Sequence, residues 1–410
     1  MTPPPSELDA APRVGHRVAV AVIVVAEFFG TSLWFTANAA AGDLAGAWGL
    51  TTADLGTLTS AVQLGFITGT LVFALSGLAD RFPASRIFAL CAVAGALANA
   101  GLAFAAHGVA IAAAFRFLTG FALAGVYPIG MKLVVTWGPT RAGETLGWLV
   151  GMLVLGTALP HAIRAAGASL PWQDAVLASS VLAVVGGVMV LALGTGPHLS
   201  VPGGAQRARL GAVLQAFRVP AFRASALAYF GHQWELYAFW TVTPFLVATA
   251  LADGGPADPV AISAWSFAII GAGTVGCVVA GRLSRRYGSA PVAAAALIGS
   301  GSACLVYPLV TGAPPGWALA LLVFWGFAVV ADSAQFSTLS AQACPPGLVG
   351  SALAFQNSIG FLITVVAIGV VTPALATLGP AVSLILLPGP LLGLVATMPL
   401  ALGRVAMPDR

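Results

Sequence analysis

The chain has 410 residues, of which 59% are hydrophobic and 7% charged, with a mean hydropathy of +0.96. Soluble domains carry about 25% charged residues, so this chain cannot clothe itself for water and reads as an all-α polytopic membrane protein. The net charge of +4 is small and its basic residues fall in loops, so the pI near 9.1 reflects topology and excludes nucleic acid as a partner.

The first stretch, "MTPPPSELDAAPRVGHR" (1–17), is polar and Pro-rich and is expected to be a disordered cytoplasmic terminus. The apolar run after it is too long for a signal peptide and carries Glu27 in its middle, so it reads as a first membrane helix. A spanning helix needs about 20 mostly apolar residues. Segments that meet this lie at 18–41, 54–77, 86–107, 110–137, 144–166 and 173–194, then at 223–250, 260–283, 290–311, 316–343, 348–375 and 379–403. Between the sixth and seventh, residues 195–222 are polar and basic and read as a cytoplasmic linker. The expected domains are a six-helix bundle at 18–194, a second at 223–403, and a short cytoplasmic tail at 404–410.

Arg13, Arg17, Arg81, Arg86, Arg141, Arg207, Arg209, Arg218, Arg223, Arg282, Arg285, Arg286, Arg404 and Arg410 all fall on one side of this arrangement. The opposite loops hold Asp43, Asp54, Asp174, Asp253 and Asp258, with Arg164 the one basic residue nearby. Positive charge stays inside, so both termini are expected in the cytoplasm and the crossings must be even in number. Cys91, Cys277 and Cys304 lie inside apolar runs, Cys344 ends one, and no CxxC pair exists, so no metal site, disulfide or cofactor is expected.

The halves repeat. "SGLADRFPASR" (76–86) after segment 2 aligns with "GRLSRRYGSAP" (281–291) after segment 8 at an offset of 205 residues, and "GFALAGVYP" (120–128) aligns with "GFAVVADSA" (326–334) at 206. The first loop resembles the G-x-L-a-D-R-x-G-R-R signature of the major facilitator superfamily, with Leu78, Ala79, Asp80 and Arg81 in register. Ser76 and Pro83 replace the two glycines, and Arg86 comes late. The second copy keeps Gly281, Leu283, Arg286 and Gly288 and has Arg285 at the acidic position. "RFLTG" (116–120) resembles the family's R-x-x-x-G pattern in helix 4. The resemblance implies two pseudo-symmetric six-helix bundles, a solute site at the midplane, and a gating role for Asp80, Arg81, Arg86, Arg285 and Arg286. Segment 5 lacks the Gly-Pro pair and Gly-Gly ending of the pattern typical of drug–proton antiporters.

Ionisable groups inside hydrocarbon cost several kcal/mol and should face protein or water. Those in mid-segment are Glu27, Arg116, His232, Glu235 and Asp332, on segments 1, 4, 7 and 10. Helical spacing extends them into stripes. These are Glu27, Thr31, Trp34 and Asn38; Arg116, Gly120, Leu123 and Tyr127; His232, Glu235, Phe239 and Thr243; and Trp325, Val329, Asp332 and Phe336 with Gln335 alongside. At 1.5 Å per residue, Glu27 and Glu235 lie roughly 15 and 18 Å deep, near the middle of a ~30 Å core. They are the expected proton-coupling groups, with Asp332 third, and Arg116 is either their ion-pair partner or an anchor for a solute carboxylate. Glycines on segments 2, 5, 8 and 11 (Gly65, Gly69, Gly147, Gly151, Gly156, Gly271, Gly273, Gly276, Gly350 and Gly360) suggest surfaces on which the halves rock.

The function expected is secondary transport of a small solute by alternating access, coupled to protons, by a monomer in the plasma membrane. An uncoupled facilitator and a membrane sensor are the alternatives. An enzyme is excluded on motif grounds: His232-x-x-Glu235 lacks the second histidine of H-E-x-x-H, and no G-x-S-x-G or P-loop occurs.

Overall fold

A computed structural model describes residues 15–138, 142–167, 169–197, 214–252, 255–345 and 348–407, with no side-chain description at residues 80, 142–144 and 350. The expected disordered terminus, most of the central linker and the end of the tail lie outside the described residues. All elements of any length are helices. They are α1 (His16–Thr31, resuming as Thr36–Ala39), α2 (Thr52–Ser76), α3 (Ala84–Ala105), α4 (Val109–Leu123 and Tyr127–Trp137), α5 (Ala142–Ala166) and α6 (Trp172–Leu193). The second set is α7 (Pro220–Leu251), α8 (Pro259–Tyr287), α9 (Ser289–Val310), α10 (Pro315–Ala328 and Ser333–Ala343), α11 (Val349–Leu378) and α12 (Ser383–Leu386 and Pro388–Ala401).

Nine stretches among the described residues are long and apolar enough to cross a membrane unaided, and the last, Ser351–Ala401, holds both α11 and α12. The remaining two crossings are α1, which is interrupted, and α7, which carries Arg223, His232, Gln233 and Glu235. Twelve helices in two six-helix bundles result.

Local chemistry explains the helix ends. Thr51 and Asp54 form a reciprocal capping box at the start of α2, with Thr51 Oγ1 accepting from the Asp54 amide at 3.2 Å and Asp54 Oδ2 from the Thr51 amide at 2.9 Å. Gly77 ends α2 with φ of 66°, a conformation that costs glycine nothing. Asp258 caps α8 through the Val260 amide at 3.1 Å.

Three helices break in mid-membrane, and the sequence pattern gave no warning of it. In α1, Thr31 Oγ1 donates back to Glu27 O at 2.8 Å and Ser32 Oγ to Phe29 O at 2.7 Å. Hydroxyls that bond the preceding turn compete with the ladder and bend it. In α4 the break at 124–126 precedes Pro128, which has no N–H to return. In α10 it spans 329–332 and ends on Asp332. The α4 and α10 breaks coincide under the 206-residue offset, so the repeat extends to backbone geometry.

The glycines pack differently from the expectation. Gly65 and Gly120 bring α2 against α4, each set against the other helix's backbone at Phe117 and Val62. Gly276 and Gly326 repeat this between α8 and α10, at Phe327 and Ile269. Gly156 faces α1 and Gly360 faces Tyr229 on α7. These contacts are inside one bundle, where small residues let backbones approach. Across the bundles the close neighbours are Gly56 with Thr372, Gly273 with Val154, Gly151 with Thr274 and Gly271 with Leu155, and Thr274 Oγ1 donates to Gly151 O at 2.9 Å. So α2 meets α11 and α5 meets α8, but most of the glycines serve tight packing within a half.

Candidate functional site

Aromatic rings join the two bundles where α1 breaks. Trp34 packs on Phe66 of α2 at 4.9 Å between centroids and stacks on Tyr237 of α7 at 5.8 Å and Phe361 of α11 at 6.0 Å. Phe35 meets Trp240 edge-on at 6.0 Å. Along α1 and α7 this seam lies beyond Glu27 and His232, on the side away from the basic loops. Trp34 Nε1 donates to Gln63 at 3.2 Å, which fixes its ring.

Arg116 is fully buried, yet it meets neither a carboxylate nor open space. Its guanidinium donates to Leu33 O at 2.9 Å, Thr36 Oγ1 at 3.0 Å and Asn99 Oδ1 at 3.4 Å, and to Trp34 O. The first and last of these are carbonyls freed by the break in α1. Asn99 continues the network to Val176 O and Ser180 Oγ of α6, each at 3.0 Å. In this structure Arg116 pairs with no carboxylate among the described residues and instead bridges the α1 break beside Trp34 and Phe35. Asn38 donates to Thr59 Oγ1 of α2 at 2.9 Å and leaves its Oδ1 without a partner among the described residues, and Thr31 Oγ1 donates within its own helix.

The two acids expected to act alike have opposite surroundings. Glu235 accepts from Trp325 Nε1 at 2.7 Å, Ser300 Oγ at 2.9 Å and Cys304 Sγ at 3.4 Å. It points into its own bundle, toward α9 and α10, and Phe239 stacks on Trp325 beside it at 4.3 Å. These two residues of the α7 stripe thus face away from the first bundle, and Cys304 is more than a packing thiol. Glu27 is 0% exposed, and neither of its oxygens has a hydrogen-bond partner among the described residues. Its carboxyl occupies the space left by Gly130 on the second piece of α4.

His232 Nδ1 lies 2.8 Å from Asp332 Oδ1 at the α10 break, off the axis of N–H donation, and His232 Nε2 has no partner. The 205-residue offset carries Glu27 onto His232, so the unpartnered groups of the two bundles occupy equivalent positions. Tyr127 lies half-buried at the start of the second α4 piece. Gln335 is buried beside Asp332.

Sequence reasoning missed the α7 face made by Tyr229, Gln233, Tyr237 and Trp240. Gln233 Nε2 donates to Tyr229 Oη at 2.5 Å, and Tyr237 and Trp240 enter the seam. The signal was present as spacings of four, four and three residues along α7. It went unread because nearly every residue from Ser225 to Val247 is buried, which leaves no polar face to mark the direction.

On the basic face, Arg81, Arg86, Arg285 and Arg286 are exposed, and Arg286 lies over the Tyr287 ring at 5.2 Å. Lys132 Nζ donates to Ala79 O at 2.6 Å, tying α4 to the loop that bears Asp80 and Arg81; the Asp80 side chain lies outside the description. On the opposite face, Arg164 binds Asp43 through two nitrogens at 2.8 and 3.0 Å, bracing the α1–α2 connection against α5.

A family model described as Major Facilitator Superfamily matches residues 22–368. The niacin transporter NiaP of Acinetobacter baylyi is 36% identical over 124 residues, a stretch that spans 28% of this chain and 28% of that protein. Among solved structures, the proton:xylose symporter XylE bound to 6-bromo-6-deoxy-D-glucose aligns with a TM-score of 0.73 at 13% identity, covering 96% of this chain and 97% of that one. A bacterial homologue of the human lysosomal transporter Spinster, inward-facing and unoccupied, aligns with a TM-score of 0.64 at 16% identity, with 96% of each chain covered. The chain belongs to the Major Facilitator Superfamily.

Proposed function

We propose that this chain is a secondary transporter of a small solute, driven by protons through Glu27. The carrying observation is the contrast between the two acids. Three donors stabilise charge on Glu235. Glu27 has none, and an unpartnered charge in such surroundings costs several kcal/mol. A proton removes that cost when the site is sealed and can leave when it opens to water, which makes Glu27 the group whose occupancy follows access.

The solute binds at the midplane between α1, α4, α7 and α10, and the bundles rock about the α2–α11 and α5–α8 contacts. The exposed arginines of the basic loops, with Asp80, act as the gate on that face. The chain works as a monomer in the plasma membrane with both termini cytoplasmic, bundles at 18–194 and 223–403 and a linker at 195–222. The basic residues gathered on one face support this orientation.

Uptake into proteoliposomes under an imposed pH gradient tests the reading, with nicotinate and xylose as the first solutes because relatives or fold neighbours carry or bind such compounds. Gradient-driven accumulation is expected for the wild type and lost in Glu27→Gln. Accumulation that survives in Glu27→Gln removes the coupling role.

A further inference from the structure

We infer that the midplane site takes an amphipathic zwitterion: a solute with an apolar or aromatic body, a basic nitrogen at one end and a carboxylate at the other. This rests on the reading of the chain as a transporter with Glu27 in its pathway, and it adds the chemical class of the cargo.

Arg116 has spent its guanidinium on the α1 break, and Glu235 is saturated by donors of its own bundle. Among the described residues Arg116 Nε and Asp332 Oδ1 also lack hydrogen-bond partners, but those side chains are otherwise engaged, at the α1 break and beside His232; Glu27, 0% exposed, has both oxygens free, and His232, 1% exposed, has Nε2 free. Buried polar atoms are partnered as a rule, and the exceptions ask for a ligand. The two groups are opposite in character and lie in opposite bundles at equivalent positions of the repeat. Glu27 suits a protonated amine. Asp332 Oδ1 lies 2.8 Å from Nδ1 on one side of the ring, and a solute carboxylate would accept a hydrogen bond from Nε2–H on the other.

The Tyr229 ring lies beside His232, 6.1 Å between centroids, and Tyr127 opens the piece of α4 whose Gly130 faces Glu27; such rings suit an apolar or aromatic body. A solute held at one end by each bundle also draws the bundles together, which a solute with a single charged end does not. An amine without an acid leaves His232 unserved, and an acid without an amine leaves Glu27 to its proton alone.

The test is equilibrium binding to the purified full-length protein in nanodiscs, read by tryptophan fluorescence. The probes are phenylalanine, its amine-only analogue phenethylamine and its acid-only analogue 3-phenylpropionate. The wild type is expected to bind phenylalanine about tenfold or more tighter than either analogue. Glu27→Gln should remove the advantage over the acid-only probe, and His232→Gln the advantage over the amine-only probe. Glu27→Asp keeps the charge and should keep the wild-type order, and melting curves confirm that each variant is folded. Equal binding of all three probes by the wild type, no binding of phenylalanine, or equal weakening of every probe in both variants overturns the inference.

Uptake of whichever probe binds separates the two readings. Proton-driven uptake of a single-ended probe with phenylalanine excluded removes the zwitterion class and leaves transport standing. Phenylalanine bound in the expected order but never carried removes transport and leaves the site.

Discussion

Replacing Arg116 by methionine keeps the unbranched stem of the side chain and removes all its donors. Trp34 O then loses the one donor it has among the described residues, and Leu33 O is left to compete at 3.4 Å for the single Thr36 hydroxyl proton. Thr36 and Asn99 still bond each other at 2.7 Å, so they are not orphaned. Two buried carbonyls at about 1–3 kcal/mol each set the scale. The guanidinium removed was itself incompletely served, since Nε has no acceptor. A net loss of about 3 kcal/mol is the expected result. Arg116→Lys, with charge but no planar fork, should lose about half of that. The assay is thermal unfolding of purified protein in detergent. A methionine variant that melts with the wild type while solute affinity collapses refutes the argument, because Arg116 would then be acting on the solute and not on the backbone of α1.

Glu235→Gln turns an acceptor of three donors into a group that carries an N–H₂ of its own, and should lower stability by about 1–2 kcal/mol in the same melting assay. Glu27→Gln should leave melting unchanged or higher, since no partner is lost; equal destabilisation by the two changes contradicts the assigned roles. Gly120→Ala and Gly326→Ala should each cost about 1–3 kcal/mol, because the added methyl meets the backbone at Val62 or Ile269. A large difference between them breaks the claimed equivalence of the α2–α4 and α8–α10 contacts. In a background lacking the four cysteines, Gly56→Cys with Thr372→Cys should crosslink readily, halt uptake and recover on reduction. Uptake that continues in the crosslinked protein shows that the α2–α11 contact need not open during transport.

The sequence by itself determined the class, the number of crossings and the duplication. Twelve apolar stretches are set by the thickness of a bilayer, and the repeat can be read as two loops 205 residues apart. It also found which helices hold charge, because a mid-membrane Glu27, Arg116, His232, Glu235 or Asp332 stands out against a chain with 7% charged residues. What each charge does was decided only by tertiary structure. Helical spacing assigns a face when one side of a helix is polar, and α7 is buried on nearly every side, so the step from His232 to Glu235 gave no hint that one meets Asp332 and the other turns to Trp325. The α1 break was equally hidden. It depends on a donor more than eighty residues away, because carbonyls released at Leu33 and Trp34 are tolerable in the membrane only where Arg116 arrives to take them.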